Sequence, residues 1–399
     1  SFSNENILII DDSDNRMHYL ERESFNYNLN FIWFPRTVTD VLFNKYINVK
    51  KQKGFGEWNL ESYYEPGLKN SREKLIIRYC SLLKPLIFLF KIRLIILPKL
   101  NDDWIIDFQK SAKKLGLKIL VTDRESSISP KRMELYPSIL KKFSHDLNQV
   151  DKLCLNNEMH YDFFIKSGIK KEKLKITGSP QSDFWPTKKP KIDLKIDKSK
   201  RNILYLGFGV NAYLNFYFKE QSLNWESLCR DVHAVIEEQL SKNYGKVNFY
   251  YKIGSKPARD YWDGYTDFYN SLKIKNIEDS LIEISGKVST PSILSSFDAI
   301  IAFQSSGLVE AMFENIPIIS FGWGDLYENI KSSLHNFENK GILFAKNKNE
   351  LSDLIENIIQ NKNIEMDRSK FKNTIYEYLY LCDGNSSKRI LDEVVLLLN

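Results

Sequence analysis

The chain has 399 residues, 43% hydrophobic and 27% charged, which fits two globular domains of about 200 residues and excludes a fibrous or disordered chain. Its net charge of +6 comes from lysines spread along the chain, without a zinc-finger or RRM-like signature. An anionic small molecule or surface is therefore the expected partner, and nucleic acid is not. Four cysteines, at 80, 154, 229 and 382, show no metal-ligand spacing, so reduced thiols in a cytosolic protein are expected. Ser1–Asn6 is polar, and no signal peptide is expected to follow it. The most apolar run, Leu82–Leu97, is interrupted by Lys84, Pro85, Lys91 and Arg93 and is not expected to span a bilayer.

In chain order, Ile7–Ile10 predicts a strand closed by Asp11-Asp12-Ser13-Asp14, then a helix carrying Met17, Leu20 and Phe25. Phe31–Phe34 is a second strand, and Val38 to Tyr46 repeats at helical spacing. Residues 50–70 read as a long loop. Arg72–Phe90 is a basic amphipathic helix, followed by a strand at Arg93–Leu97, a helix from about Asp103 to Leu115 and a strand at Leu117–Val121. Further elements at Lys152–Leu155 and Glu158–Ser167 complete a first half. Residues 186–201 (PTKKPKIDLKIDKSKR) read as a linker.

Alternation then restarts with a strand at Asn202–Leu206, a Gly207-Phe208-Gly209 turn, a helix at Ser222–Leu240 and a strand at Val247–Ile253. A helix near 260–272 and a strand at Leu281–Ile284 follow. Residues 297–324 form a strand–turn–helix–strand unit, in which Ala299–Phe303 is the strand and Gln304-Ser305-Ser306-Gly307 the turn. Pro317 ends the helix before Ile318–Phe321. The tail, 347–399, reads as helical. Strands alternating with helices twice over predict two doubly wound α/β domains, with ligands at the carboxyl ends of the strands.

Candidate chemistry sits at those strand ends. Ser305 and Ser306 either cap the helix that starts near Gly307 or, with its N–H groups, hold a phosphate. Lys252 and Lys256, around the Gly254-Ser255 turn, suit a phosphate as point charges. Asp123 and Glu125 could serve as a general base or belong to a capping and salt-bridge cluster. Asp231 stands on a semi-apolar helix face, an odd place for a solvated carboxylate, with Glu226 five residues earlier. Asp12-Ser13-Asp14 matches D-x-D, but Asp also caps helices, and no metal is expected there.

Two segments carry a family resemblance. Lys175–Trp185 (KITGSPQSDFW) resembles the TGxPxxD segment that closes the N-terminal domain of many GT-B glycosyltransferases. Phe303–Gly322 resembles the SSxxxEAxxxxxPxI unit by which their C-terminal domain holds the donor phosphate. In length and layout the whole chain resembles the retaining β-Kdo transferase module of bacterial O-antigen chain-terminating enzymes.

That resemblance implies a GT-B α/β fold, two Rossmann-like domains facing a cleft, with a helical C-terminal tail. Residues 1–185 would bind the acceptor and 186–370 the nucleotide sugar, with 371–399 packing back on the N-terminal domain. The donor substrate would be CMP-β-Kdo, the acceptor a lipid-linked polysaccharide, and no cofactor would be needed. Asp231 would be the nucleophile of a retaining reaction, with Glu125 or Asp123 as base. Lys252, Gly254, Lys256, Gln304, Ser305, Ser306 and Gly307 would hold the donor phosphate. Lys256-Pro257 stands where related CMP-sugar enzymes often carry His-Pro, which keeps a cation but removes an imidazole.

The chain would then act in the cytoplasm, peripherally at the inner face of the cytoplasmic membrane. Arg72–Phe90 could touch anionic lipid there; the other reading is that Leu75, Ile76, Tyr79 and Leu83 simply pack in the core. A UDP-sugar or CDP-glycerol donor, and a non-catalytic glycan-binding module, remain the competing functions.

Overall fold

The computed structural model describes residues 5–11, 17–47, 60–123, 127–185, 192, 194–212, 214, 223–253 and 264–399. The chain divides into two compact units. One comprises 1–128, 132–187 and 376–399; the other comprises 129–131 and 188–375.

The first unit is built on β1 (Glu5–Asp11), β2 (Leu29–Pro35), β3 (Leu94–Leu97), β4 (Lys118–Thr122), β5 (Lys152–Leu155) and β6 (Leu174–Ile176). They form one parallel sheet in the order β2-β1-β3-β4-β5-β6. The second unit contains β7 (Arg201–Leu206), β8 (Val247–Lys252), β9 (Leu281–Ile284), β10 (Ala299–Ala302), β11 (Ile318–Phe321) and β12 (Leu343–Ala345). Its sheet is also parallel, ordered β12-β11-β10-β7-β8-β9.

Apolar runs make these strands because helices cover both faces of a parallel sheet. Ile7, Leu8, Ile9 and Ile10 are all fully buried, although successive side chains point to opposite faces. Both strand orders are doubly wound, and each reverses direction at one place. In the first sheet that switch lies between β1 and β3; in the second it lies between β7 and β10. A crevice opens outside the carboxyl ends of the strands at such a point, and ligands of this architecture bind there.

The Lys69–Phe90 helix starts earlier than the sequence suggests and runs through Pro85. Arg72 is not part of a solvent-facing basic stripe. Its guanidinium is buried on Asp107, at 2.8 and 3.1 Å, and lies over the Tyr63 and Tyr64 rings. Breaking a buried pair of this kind costs roughly 3–5 kcal/mol. No helix among the described residues is long and apolar enough to cross a membrane.

The last helix, Ser386–Leu398, packs Ile390, Leu391 and Val394 against Ile7, Ile9, Leu94 and Ile96 of the first sheet. Thr177-Gly178, in the segment that resembles TGxPxxD, forms the seam that receives it. Arg389 Nε donates to Thr177 O at 2.7 Å. Gly178 has φ +81°, and a Cβ there would stand 2.5 Å from Ser386 Oγ. Glycine is required on both counts. The segment therefore docks a helix.

Candidate active site

At the switch point of the second sheet, β7 lies against β10, and Leu206 pairs with Ala302 on one side and Lys252 on the other. The chain leaves β10 through Phe303 and turns at Gln304, which adopts φ +53°. Gln304 is buried, and its amide is spent on the backbone of His335. Nε2 donates to His335 O at 2.9 Å, and Oε1 accepts from His335 N at 2.8 Å. In this arrangement the Gln304 side chain fixes the turn.

The helix beyond the turn is shorter than its apolar spacing implies. It runs from Gly307 to Ala311, and residues 312–316 are turns and bends before β11. Its leading N–H groups have acceptors of their own. Gly307 N donates to Ser305 Oγ at 3.1 Å, Leu308 N to Ser305 O, and Val309 N and Glu310 N to Ser306 O. So short a helix, with its donors engaged, is a weaker phosphate cradle than the sequence pattern promised. Gly307 matters for packing: a Cβ there would meet Leu206 Cδ1 at 2.3 Å. Only glycine lets this turn close over the end of β7.

Two polar groups remain well placed around that turn. Ser306 is exposed, and its Oγ lies 3.4 Å from Glu310 Oε1. Lys252, the last residue of β8, is buried. Burial pulls its ammonium below the usual lysine range, and the charge of Glu310 only partly opposes this. Gly254 and Lys256 lie outside the described residues.

Asp231 sits in the Glu226–Lys242 helix of the same unit, in surroundings unlike those expected. Its carboxylate is not left poorly hydrated on an apolar face. Oδ2 accepts from the Trp323 indole at 2.9 Å, and Oδ1 lies 3.3 Å from Lys348 Nζ. About a third of the side chain is exposed. Trp323 follows β11, so the carboxylate stands near the carboxyl end of that strand. Glu226 pairs instead with Arg230, one turn on, at 2.7 and 3.0 Å.

The first unit gathers a second cluster at the carboxyl ends of β3, β4 and β5. Asp123 extends the β4 ladder by donating its N–H to Cys154 O at 3.0 Å. Its Oδ2 lies 3.3 Å from Nδ1 of His160, in ion-pair range but not yet aligned as a hydrogen bond. Asn157 caps the Glu158–Lys166 helix through His160 N and so fixes where the imidazole stands. Lys99, Asn101, Arg132 and Phe163 line a small cavity with these two residues, and Lys99 stands 3.4 Å from Asp102. His160, Lys99 and Arg132 were not singled out from the sequence. The available signal was a histidine three residues after a capping Asn, and a Lys just past an apolar strand. Glu125 and the Asp12-Ser13-Asp14 segment lie outside the described residues.

No family model matches the chain. It is 28% identical over 175 residues to a 3-deoxy-D-manno-octulosonic acid (Kdo) transferase of Chlamydophila psittaci (strain ATCC VR-125 / 6BC). That match covers 40% of this chain and only 38% of the transferase's own length. In structure the chain is similar to a glycosyltransferase from Rickettsia africae ESF-5, with TM-score 0.56 and 12% identity over the whole of both chains. It is also similar to UDP-GlcNAc 2-epimerase from Neisseria meningitidis, with TM-score 0.56 and 13% identity over 98% of this chain and 100% of the other. The two structural likenesses extend across both units, and the fold is of the GT-B type.

Proposed function

We propose that the chain is a retaining glycosyltransferase that moves Kdo from CMP-β-Kdo to a bacterial surface polysaccharide. The observation that carries this reading is Lys252, a buried cation beside the switch point of the second sheet. Its burial is offset in part by Glu310, and a phosphate would offset it further. With the Ser306 hydroxyl nearby, it can stabilise a departing nucleoside monophosphate without a divalent ion. The similarity to the Chlamydophila transferase supports Kdo as the sugar.

Retention follows most simply from two inversions. In the first, Asp231 bonds to the anomeric carbon while the bond to the CMP phosphate breaks, its electron pair staying with the phosphate. In the second, the acceptor oxygen displaces Asp231, and its hydroxyl proton passes to a carboxylate base, for which Asp123 and Glu125 are the candidates. Trp323 holds the Asp231 carboxylate in one orientation, as a nucleophile requires.

The test is incubation with CMP-Kdo and a polysaccharide acceptor, beside titrations of CMP, UDP and CDP. Transfer with retention, and an Asp231→Asn variant that binds CMP but turns over several powers of ten more slowly, are expected. A Kdo adduct on another carboxylate would displace Asp231. Preference for UDP or CDP would assign another donor. Glycan binding without nucleotide binding would make the chain a non-catalytic module.

A further inference from the structure

We propose that Lys348 binds the carboxylate of the donor sugar and so selects ulosonic acids, which carry that group on the anomeric carbon, over ordinary aldoses. This role rests on the transferase reading, with Asp231 as nucleophile.

Three elements of the second unit meet at this point. The Glu226–Lys242 helix carries Asp231, and the segment after β11 carries Trp323. Lys348 is the first residue of the Lys348–Ile359 helix, just past the end of β12. The two helices run parallel, tied by Gln239 Nε2 on Ser352 Oγ at 2.9 Å and Asn243 Nδ2 on Glu356 Oε2 at 3.1 Å. Those rungs set Lys348 level with Val235, one turn short of Asp231. Its side chain therefore reaches back past the start of its own helix, the direction in which helical side chains lean, and brings Nζ to 3.3 Å from Asp231 Oδ1.

The backbone beneath Lys348 is fixed by a reciprocal cap. Asn347 Oδ1 accepts from Glu350 N at 2.9 Å, and Glu350 Oε2 accepts from Lys346 N at 2.8 Å. The helix dipole disfavours a cation in a first turn, so helix formation does not ask for lysine here. Lys346, on the other side of the cap, turns away to Glu338. Lys348 keeps 47% of its side chain exposed and Asp231 31%, so a ligand can reach the pair.

The chemistry of a ulosonic acid needs such a cation. The attacking oxygen stands about 3–3.5 Å from the anomeric carbon. In a ulosonic acid that carbon bears a carboxylate one bond away, so two negative groups are brought together and repel. An ammonium beside the nucleophile pairs with both and cancels the repulsion. Trp323, on the other Asp231 oxygen, donates a hydrogen bond but carries no charge. An aldose has only hydrogen at that place and gives Lys348 nothing to bind.

The test compares CMP-Kdo with an analogue whose Kdo carboxylate is an amide, as donors for the parent, Lys348→Met and Lys348→Arg. The parent should prefer the acid by about tenfold or more in kcat/KM, as a charged hydrogen bond gives. Lys348→Met should lower kcat/KM for the acid and shrink that preference to about threefold or less, with inhibition by CMP alone unchanged. Lys348→Arg should keep the preference. Nearly half of the side chain is exposed, so thermal unfolding of these variants should match the parent, and Lys348→Gln repeats the comparison if the Met variant does not fold. A Met variant that loses acid and amide turnover equally makes Lys348 a support for Asp231 alone and overturns the proposal. A parent with no preference between the donors overturns it too. Both results leave the transferase reading standing, since Kdo is still transferred. A parent that transfers Kdo from neither donor overturns that reading and this role with it.

Discussion

Asp123 and His160 meet at the carboxyl ends of β4 and β5, with Oδ2 of one 3.3 Å from Nδ1 of the other. They differ in access. The imidazole is fully buried, while the Asp123 side chain keeps 12% of its surface open. Solvent can therefore reach the carboxylate but not the ring. In the proposed reaction Asp123 would take the proton, with the His160 imidazole packed behind it.

The first prediction follows from that arrangement. Asp123→Asn should lower kcat for transfer by roughly 10²–10⁴, the range of a lost general base, with CMP affinity unchanged. His160→Phe keeps the ring volume and removes both nitrogens. It should lower kcat less, and His160→Gln, which returns a polar group to the side of Asp123, should recover part of the loss, which a merely structural ring would not allow. A His160→Phe enzyme with the parent's kcat would leave the imidazole a packing residue.

Lys252 gives the second prediction through pH. Burial holds its folded pKa below the ordinary lysine value of about 10.4. Only the protonated form attracts phosphate, so CMP affinity should be full below the folded pKa and fall as pH rises through it. The fall should therefore begin at lower pH than for a solvated lysine. Lys252→Met should weaken CMP by about 1.5–3 kcal/mol near neutral pH, as loss of a charged hydrogen bond does, and remove the alkaline fall. Calorimetric titration across pH checks both. An unchanged alkaline limb in the Met variant would assign it to another group.

Much of the fold is legible because its central strands are buried on both faces. Ile7–Ile10, Leu94–Leu97 and Ala299–Ala302 each stand out as apolar runs. The three-residue strands β6 and β12, each at an edge of its sheet, are too short to show as runs. The helix from Gly307 was read too long because Met312 and Phe313 continue its spacing. The chain instead unwinds before Pro317, which disfavours helical backbone just ahead of it.

The candidate site was less legible than the fold, because its decisive contacts join distant segments. Nothing in Gln304-Ser305-Ser306 announces that the amide will be taken by His335. Nothing near Asp231 announces Trp323 and Lys348, which replace the apolar setting read from Cys229, Val232 and Val235. Asp123 was visible as a carboxylate at a strand end, whereas His160 becomes a partner only when β5 and its helix are laid beside β4.

The third prediction concerns acid stability of the second unit, which buries two histidines. His233 stacks on Phe268 at 4.3 Å, with Nε2 3.3 Å from the Tyr251 hydroxyl. Burial, with the charge of Arg230 adding to it, lowers its pKa from 6.5 to about 3. His335 is lowered from 6.5 to about 4 by burial, with Lys340 adding to it. Both rings are neutral in the folded unit and take up a proton on unfolding below pH 6.5. The unfolded state binds more protons there, so stability is full above pH 6.5 and falls with pH. Each histidine adds up to about 1.4 kcal/mol per pH unit to the slope, and the two act together between 6.5 and about 4. Below that His335 is spent, and His233 continues alone to about 3. Hydrogen exchange of the β7, β8 and β10 amides across this range isolates the second unit from the first. His233→Gln should roughly halve the slope between pH 6 and 4.5, since it leaves His335 as the remaining titrating ring. A parent whose β7 and β8 protection is flat from pH 6.5 to 4 would show that these rings are already charged, or already exposed, in the folded unit.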